Sequence, residues 1–228
     1  MTALRERKRQ ELRERLSGLA FELCVQHGFD NVRIADIAAA ANVSEKTVFN
    51  HFPTKEELLL PGAESLERGL VVAVEQRHPS EPLLVAARRY IFNAAERMAT
   101  LPYTRRKAFA DLVQSTPSLR QRLRGMSLQV EDELTAVISK QTSASVDDPT
   151  SRVVAVALGT LLRLAYGTVG WPTSRKRSLE EILQGIDSSL SQLERGLAGY
   201  GVTASVRIRF RSRSISLRAL DTFSGSQP

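Results

Sequence analysis

The sequence predicts an all-α protein, a short N-terminal helical unit followed by a longer helical body. Three observations carry this. Apolar residues recur at three- and four-residue spacing in nearly every segment up to about residue 200. Helix start and stop signals recur at matching intervals. Strand-type alternation does not occur before residue 201.

In the first helix, Leu12, Leu16, Leu19, Leu23 and Cys24 form one apolar stripe, and His27-Gly28-Phe29 ends it, with Gly28 suited to a left-handed position after the last turn. A cationic cluster, Arg5, Arg7, Lys8 and Arg9, stands just ahead of it. The next helix is expected over Ile34–Ala41, followed by a corner at Asn42-Val43, where Asn tolerates positive φ. Ser44 is a good N-cap for a short helix ending near Phe52. Pro53 then separates it from the capping box Thr54-Lys55-Glu56-Glu57.

From Thr54 one helix is expected to run to about Gln76. Ser80 can cap a helix through Leu83, Ala87, Tyr90, Ile91, Ala94 and Met98. A break at 100–102 precedes a shorter helix, Tyr103–Ser115. Thr116-Pro117 places proline at the first helical position of a helix through Leu119, Leu123, Met126, Val130, Leu134 and Ile138. Asp147 to Pro149 repeats that signal before the most apolar segment, Val153–Trp171. Arg163 near its middle, together with Gly159 and Gly167, argues for a helix buried between others rather than a membrane span. Ser178-Leu179-Glu180-Glu181 is a last capping box, opening a helix through Ile182, Ile186, Leu190, Leu193 and Leu197.

The formal net charge is +7, of which an excess of four sits in residues 201–228. Global basicity is therefore a weak argument for nucleic acid, and the local clusters weigh more. That tail alternates apolar and cationic residues at Val206–Arg211, without a partner strand, and reads as a basic, flexible end that could also lie on phosphates. The lone Cys24 excludes an internal disulfide framework and reads as core packing in a reducing cytoplasm. The Arg/Glu-rich N-terminus lacks an apolar segment behind it, so no secretory signal is expected.

The helix–turn–helix of residues 34–52 offers a short helix whose outward residues are polar or cationic, as a major groove admits. Ser44, Lys46 and Thr47 lie at its start, where side chains reach base edges or flanking phosphates. Asn50 follows Lys46 by one turn and can bind adenine through two hydrogen bonds. Lys55 adds a cation at a helix N-terminus, a natural phosphate site. Arg33, ahead of Ile34, has no oxygen with which to cap, and its expected use is a phosphate contact. Residues Ile37, Ala38, Ala41, Val48 and Phe52 read as core. No nucleophile elbow, phosphate-binding glycine loop or metalloprotease motif occurs, so no enzyme is expected. His27, His51 and His78 lack ligand spacing, so neither metal nor cofactor is expected.

Residues 10–58 resemble the N-terminal domain of the TetR family of bacterial transcriptional regulators. The resemblance rests on Gly28-Phe29-Asp30, Asp36-Ile37-Ala38, Asn42-Val43-Ser44, Thr47-Val48-Phe49, His51-Phe52 and Lys55-Glu56-Glu57-Leu58, taken in order. Two departures stand out: Val32-Arg33 replaces the usual capping Thr, and Asn42 stands where Gly is usual. The resemblance implies backbone contacts from Phe49 and His51. It also implies a variable C-terminal half that binds a small effector and dimerises, commonly through its last two helices, here about 149–170 and 178–198.

The expected organisation is thus a helix-turn-helix DNA-binding domain at 1–54, a helical effector-binding and dimerisation domain at 55–200, and the basic tail at 201–228. The expected function is a cytoplasmic homodimeric repressor, released from a palindromic double-stranded DNA operator by a small-molecule effector. The alternatives are an activator with the same DNA-binding half, or a helical assembly protein that has lost DNA recognition. The effector pocket is expected among helices of residues 80–170, with Tyr90, Met98, Phe109, Met126, Arg163 and Tyr166 as candidate lining and Arg163 facing an anionic group.

Overall fold

A computed structural model describes residues 2–143, 148–166 and 178–196, with side chains from Leu4 onward. These residues are all-α. The helices are α1 (Thr2–His27), α2 (Ile34–Ala40), α3 (Glu45–His51), α4 (Lys55–Leu59), α5 (Pro61–Glu75), α6 (Leu83–Ala99), α7 (Tyr103–Ser115), α8 (Pro117–Thr142), α9 (Pro149–Tyr166) and α10 (Leu179–Gly196). The Val206–Arg211 pattern, Asp147, Gly167 and Trp171 lie outside the described residues.

Local chemistry accounts for most boundaries. Gly28 takes φ +84° and Asn42 φ +53°, the two left-handed corners of the N-terminal unit. Ser44 Oγ accepts the Thr47 N–H at 3.1 Å and Thr54 Oγ1 accepts the Glu57 N–H at 3.3 Å. Ser178 and Glu181 exchange hydrogen bonds of 2.9 and 3.1 Å, a complete capping box.

Four expectations change. The cationic cluster at Arg5–Arg9 is not ahead of the first helix but inside it. Residues 4–11 are strong helix formers except for their charge, and Arg7–Glu11 and Gln10–Glu14 bond one turn apart at 3.0 and 2.9 Å. The helix from Thr54 does not run through to Gln76, because Pro61 has no N–H to offer the fourth carbonyl before it, so α4 stops and α5 begins with proline at its first turn. Ser80 does not cap α6, which starts behind Pro82; its hydroxyl instead meets His78 Nδ1 at 2.6 Å. Arg33 does precede α2 without a side-chain cap, yet the helix start is not left bare. The Asp36 carboxylate accepts the Arg33 backbone N–H at 2.8 Å and holds its guanidinium at 3.2 Å, which keeps that carboxyl below its ordinary pKa.

Two apolar clusters organise the packing. One joins α1–α4 (Leu16, Ala20, Cys24, Ile37, Val48, Phe52, Leu58) to Leu112 and Val113 of α7 and to Leu119, Leu123 and Met126 of α8. The other joins α5, α6, the rest of α8, α9 and α10. The cores therefore do not divide at residue 54, since α7 and the first half of α8 close the base of the N-terminal unit. Arg122 of α8 bonds Glu57 of α4 at 3.0 Å across the same junction, and Phe21 meets Phe109 with ring centroids 6.4 Å apart.

Within the second cluster α5 and α6 pack tightly at Gly69. A β-carbon there would collide with the Tyr90 hydroxyl, which is fixed by donating to the Leu66 carbonyl at 2.8 Å. Gly69→Ala is expected to cost about 1–3 kcal/mol by overpacking. Equilibrium urea denaturation, with Gly62→Ala in open space as the control, checks this.

Candidate nucleic-acid interface

The N-terminal unit presents α3 on a frame built from α1, α2 and α4. Ile37, Ala38, Val48 and Phe52 are buried and hold the helix pair together, whereas Ser44, Lys46, Phe49 and Asn50 are exposed. Phe49 is 48% exposed, a large apolar side chain left in solvent on a seven-residue helix. Lys46 and Asn50 make no side-chain hydrogen bond or ion pair with a described residue. Their polar groups face solvent on one face of α3, one turn apart. Thr47 is half-buried and its hydroxyl meets Ser44 Oγ at 2.8 Å, so both of these expected contact residues also serve the helix start.

The frame is fastened by cations that sequence reasoning missed. Arg13 of α1 donates to the carbonyl of His51, the last residue of α3, and its guanidinium lies 4.2 Å from the Phe52 ring centre. Arg15 donates at 2.9 Å to the carbonyl of Ala41, the C-cap of α2. Each places positive charge where a helix ends in unsatisfied carbonyls. Their recurrence two residues apart on α1 was visible in the sequence, but their acceptors lie 26 and 38 residues away, beyond any local signal.

Lys55, expected at a phosphate, is turned inward. Its Nζ donates to the Phe29 carbonyl and sits 4.2 Å from the Phe29 ring centre. The cation ties the turn after α1 to α4. Arg33 is exposed and shares its charge with Asp36.

His51 is half-buried, with Nδ1 shielded from solvent and without a described partner. Burial, then the charges of Arg9 and Arg13, push its pKa below the ordinary value. The ring is therefore neutral at neutral pH. Because the unfolded ring takes up a proton that the folded one resists, this group's contribution is complete above the ordinary imidazole pKa, about 6.5, and is lost as pH falls below it. Urea melts across that range are expected to show a decline that is smaller in His51→Gln.

In the body the candidate pocket residues are spread over both apolar clusters. Phe109 and Met126 belong with the N-terminal cluster, and Tyr90, Met98 and Tyr166 with the second. Arg163 bonds Glu131 at 2.7 Å and approaches Glu67 to 4.0 Å, so its charge is already matched and the expected anionic ligand group is not supported. Glu67 Oε1 also accepts from Tyr166 at 2.7 Å and Ser127 at 3.0 Å. An open groove of about 530 Å³ lies elsewhere, between α9 and α10, lined by Ala157, Thr160, Leu161, Ser189, Gln192 and Leu193 among others. Among the described residues no helix is long and apolar enough to cross a membrane.

Residues 18–60 match the family model of bacterial regulatory proteins, tetR family. Over 150 residues the chain is 27% identical to the HTH-type transcriptional regulator TcmR of Streptomyces glaucescens, covering 64% of this chain and 66%, just under two thirds, of that one. A solved structure from Syntrophomonas wolfei, assigned to the same family, superposes with a TM-score of 0.55 at 17% identity, covering 82% of this chain and 97% of that one. A tetR-family transcriptional regulator from Streptomyces coelicolor gives 0.50 at 19% identity, covering 84% and 83%. At these identities the solved structures speak for the fold.

Proposed function

We propose that this chain is a member of the tetR family of bacterial regulatory proteins and a cytoplasmic homodimeric repressor that reads a palindromic operator through α3. The carrying observation is the exposed face of Lys46, Phe49 and Asn50 on a helix whose ends are fixed by Ser44 and Arg13. Such a face has polar groups for base edges and an aromatic for the sugar–phosphate wall, on a frame stiff enough to keep register. Ser44, Thr47 and His51 flank it, and Arg33 is the exposed cation nearest the start of α2.

The dimer reading is supported by α9, whose outward residues Val153 and Val156 are 59% and 37% exposed, and by the adjoining groove along α10. Two α3 helices related by a two-fold axis would meet successive major grooves. A small-molecule effector bound in the body would lower DNA affinity by favouring a dimer whose α3 helices are wrongly spaced.

The test is a gel-shift titration at stated salt against the DNA immediately upstream of the chain's own gene, with sedimentation of the complex. The expected result is a discrete complex of two subunits per duplex that survives nonspecific competitor. A complex that competitor removes at every salt, or a monomer on the duplex, would overturn it.

A further inference from the structure

Helix α1 overshoots the unit it supports. Its 26 residues span about 39 Å, yet every side chain from Leu4 to Glu11 is exposed, and packing begins at Leu12 and Leu16. The overhang is therefore eight residues, about 12 Å of free helix.

The overhang is not uniformly charged. The stripe that buries Leu16 and Ala20 recurs at three- and four-residue spacing through Leu12 and Leu16, and the same spacing carried backwards falls on Lys8, Arg9 and Arg5. Beyond the domain that face carries Arg5, Lys8 and Arg9, with the exposed Leu4 at its outer end. On the far side, Arg7 is bonded to Glu11 at 3.0 Å, and Gln10 to Glu14 at 2.9 Å. The far-face cation is thus paired within the helix. Lys8 and Arg5 have no ion pair with a described residue.

The overhang leaves the domain beside the reading helix. Arg13, at its root, donates to the last carbonyl of α3, and Arg9, one turn further out, is close enough to His51 to depress its pKa. The cationic stripe therefore continues the surface on which α3 sits, rather than the surface of the body.

We infer that the Arg5–Lys8–Arg9 face of α1 is a docking surface for the phosphate backbone of duplex DNA flanking the sequence read by α3. This rests on the DNA-binding reading above and extends it. The stripe adds cations on a rigid rod to one side of α3, so it is expected to add affinity and footprint and little sequence preference.

The test uses the full chain and mixed-sequence duplex DNA, with log K measured against log salt. Arg5→Gln/Lys8→Gln/Arg9→Gln is expected to reduce the slope by about two to three per bound subunit, and affinity at low salt by at least about tenfold. The melting temperature should be unchanged, since these side chains touch no core. Arg7→Gln, on the opposite face, is expected to leave the slope unchanged. A triple variant with the parent's slope, or an Arg7→Gln effect as large as one third of the triple's, would overturn the assignment. Loss of binding to phosphatidylglycerol vesicles in the triple variant, with the DNA slope unchanged, would place the face on a membrane and overturn it too. A parent chain that fails to bind any duplex would instead sink the DNA reading itself, and this inference with it.

Discussion

Arg163→Met is expected to destabilise the helical body by about 3–5 kcal/mol, the largest effect of any single replacement considered. The guanidinium lies between α5, α8 and α9 with its side chain 12% exposed, facing Glu131 at 8% and Glu67 at 2%. Removing it strands the Glu131 carboxylate, which has that one short charged contact, and leaves Glu67 leaning on two hydroxyls alone. Gly159 belongs to the same arrangement: a β-carbon there would sit 3.2 Å from Arg163 and 3.6 Å from Glu131. The pair itself need not stabilise the fold, because two charges had to leave water to form it. Arg163→Met/Glu131→Leu is accordingly expected to recover most of the loss. Urea denaturation of parent, single and double variants checks both parts. A single variant as stable as the parent would mean that water reaches these carboxylates.

The second large effect separates two lysines that look alike in the sequence. Lys46→Ala/Asn50→Ala is expected to abolish discrimination between operator and nonspecific DNA, at about 1–3 kcal/mol per lost base contact, and to leave stability unchanged because both side chains are exposed. Lys55→Ala is expected to act the other way. Its ammonium tethers the Phe29 carbonyl and faces the Phe29 ring, so the loss appears as about 1–2 kcal/mol of folding stability. The salt slope of DNA binding should hardly move. Fluorescence anisotropy on specific and mixed duplexes, beside thermal melts of each variant, measures the two quantities independently. A Lys55→Ala chain of unchanged stability with a slope reduced by about one would return this lysine to the phosphates.

The contrast shows what a sequence makes legible. Corners and caps follow from chemistry within four residues, so Gly28, Asn42, Ser44, Thr54 and Ser178 could be read directly. The break at Pro61 was equally local and was overridden by the apolar period running across it. The start of α1 was missed because a basic cluster resembles a solvated arm, although the same residues are good helix formers with partners one turn away. Other features depend on partners far along the chain. Arg13 with His51, Lys55 with Phe29, and Arg163 with Glu67 and Glu131 are joined only by the fold. Composition suggested a cation awaiting an anionic ligand at Arg163, and the fold supplies the anions itself. The outward face of α3 was readable because its exposure follows from which residues are left over once the core positions are assigned.

Entry of α3 into a major groove is tested most directly by dimethyl sulfate protection of the DNA upstream of the chain's own gene. Guanine N7 lies in the major groove and adenine N3 in the minor, so the reagent reports the groove itself. The expected result is N7 protection in two blocks about one helical turn apart, lost in Lys46→Ala/Asn50→Ala. A stable complex with N7 fully reactive throughout, or with protection confined to adenine N3, would contradict it.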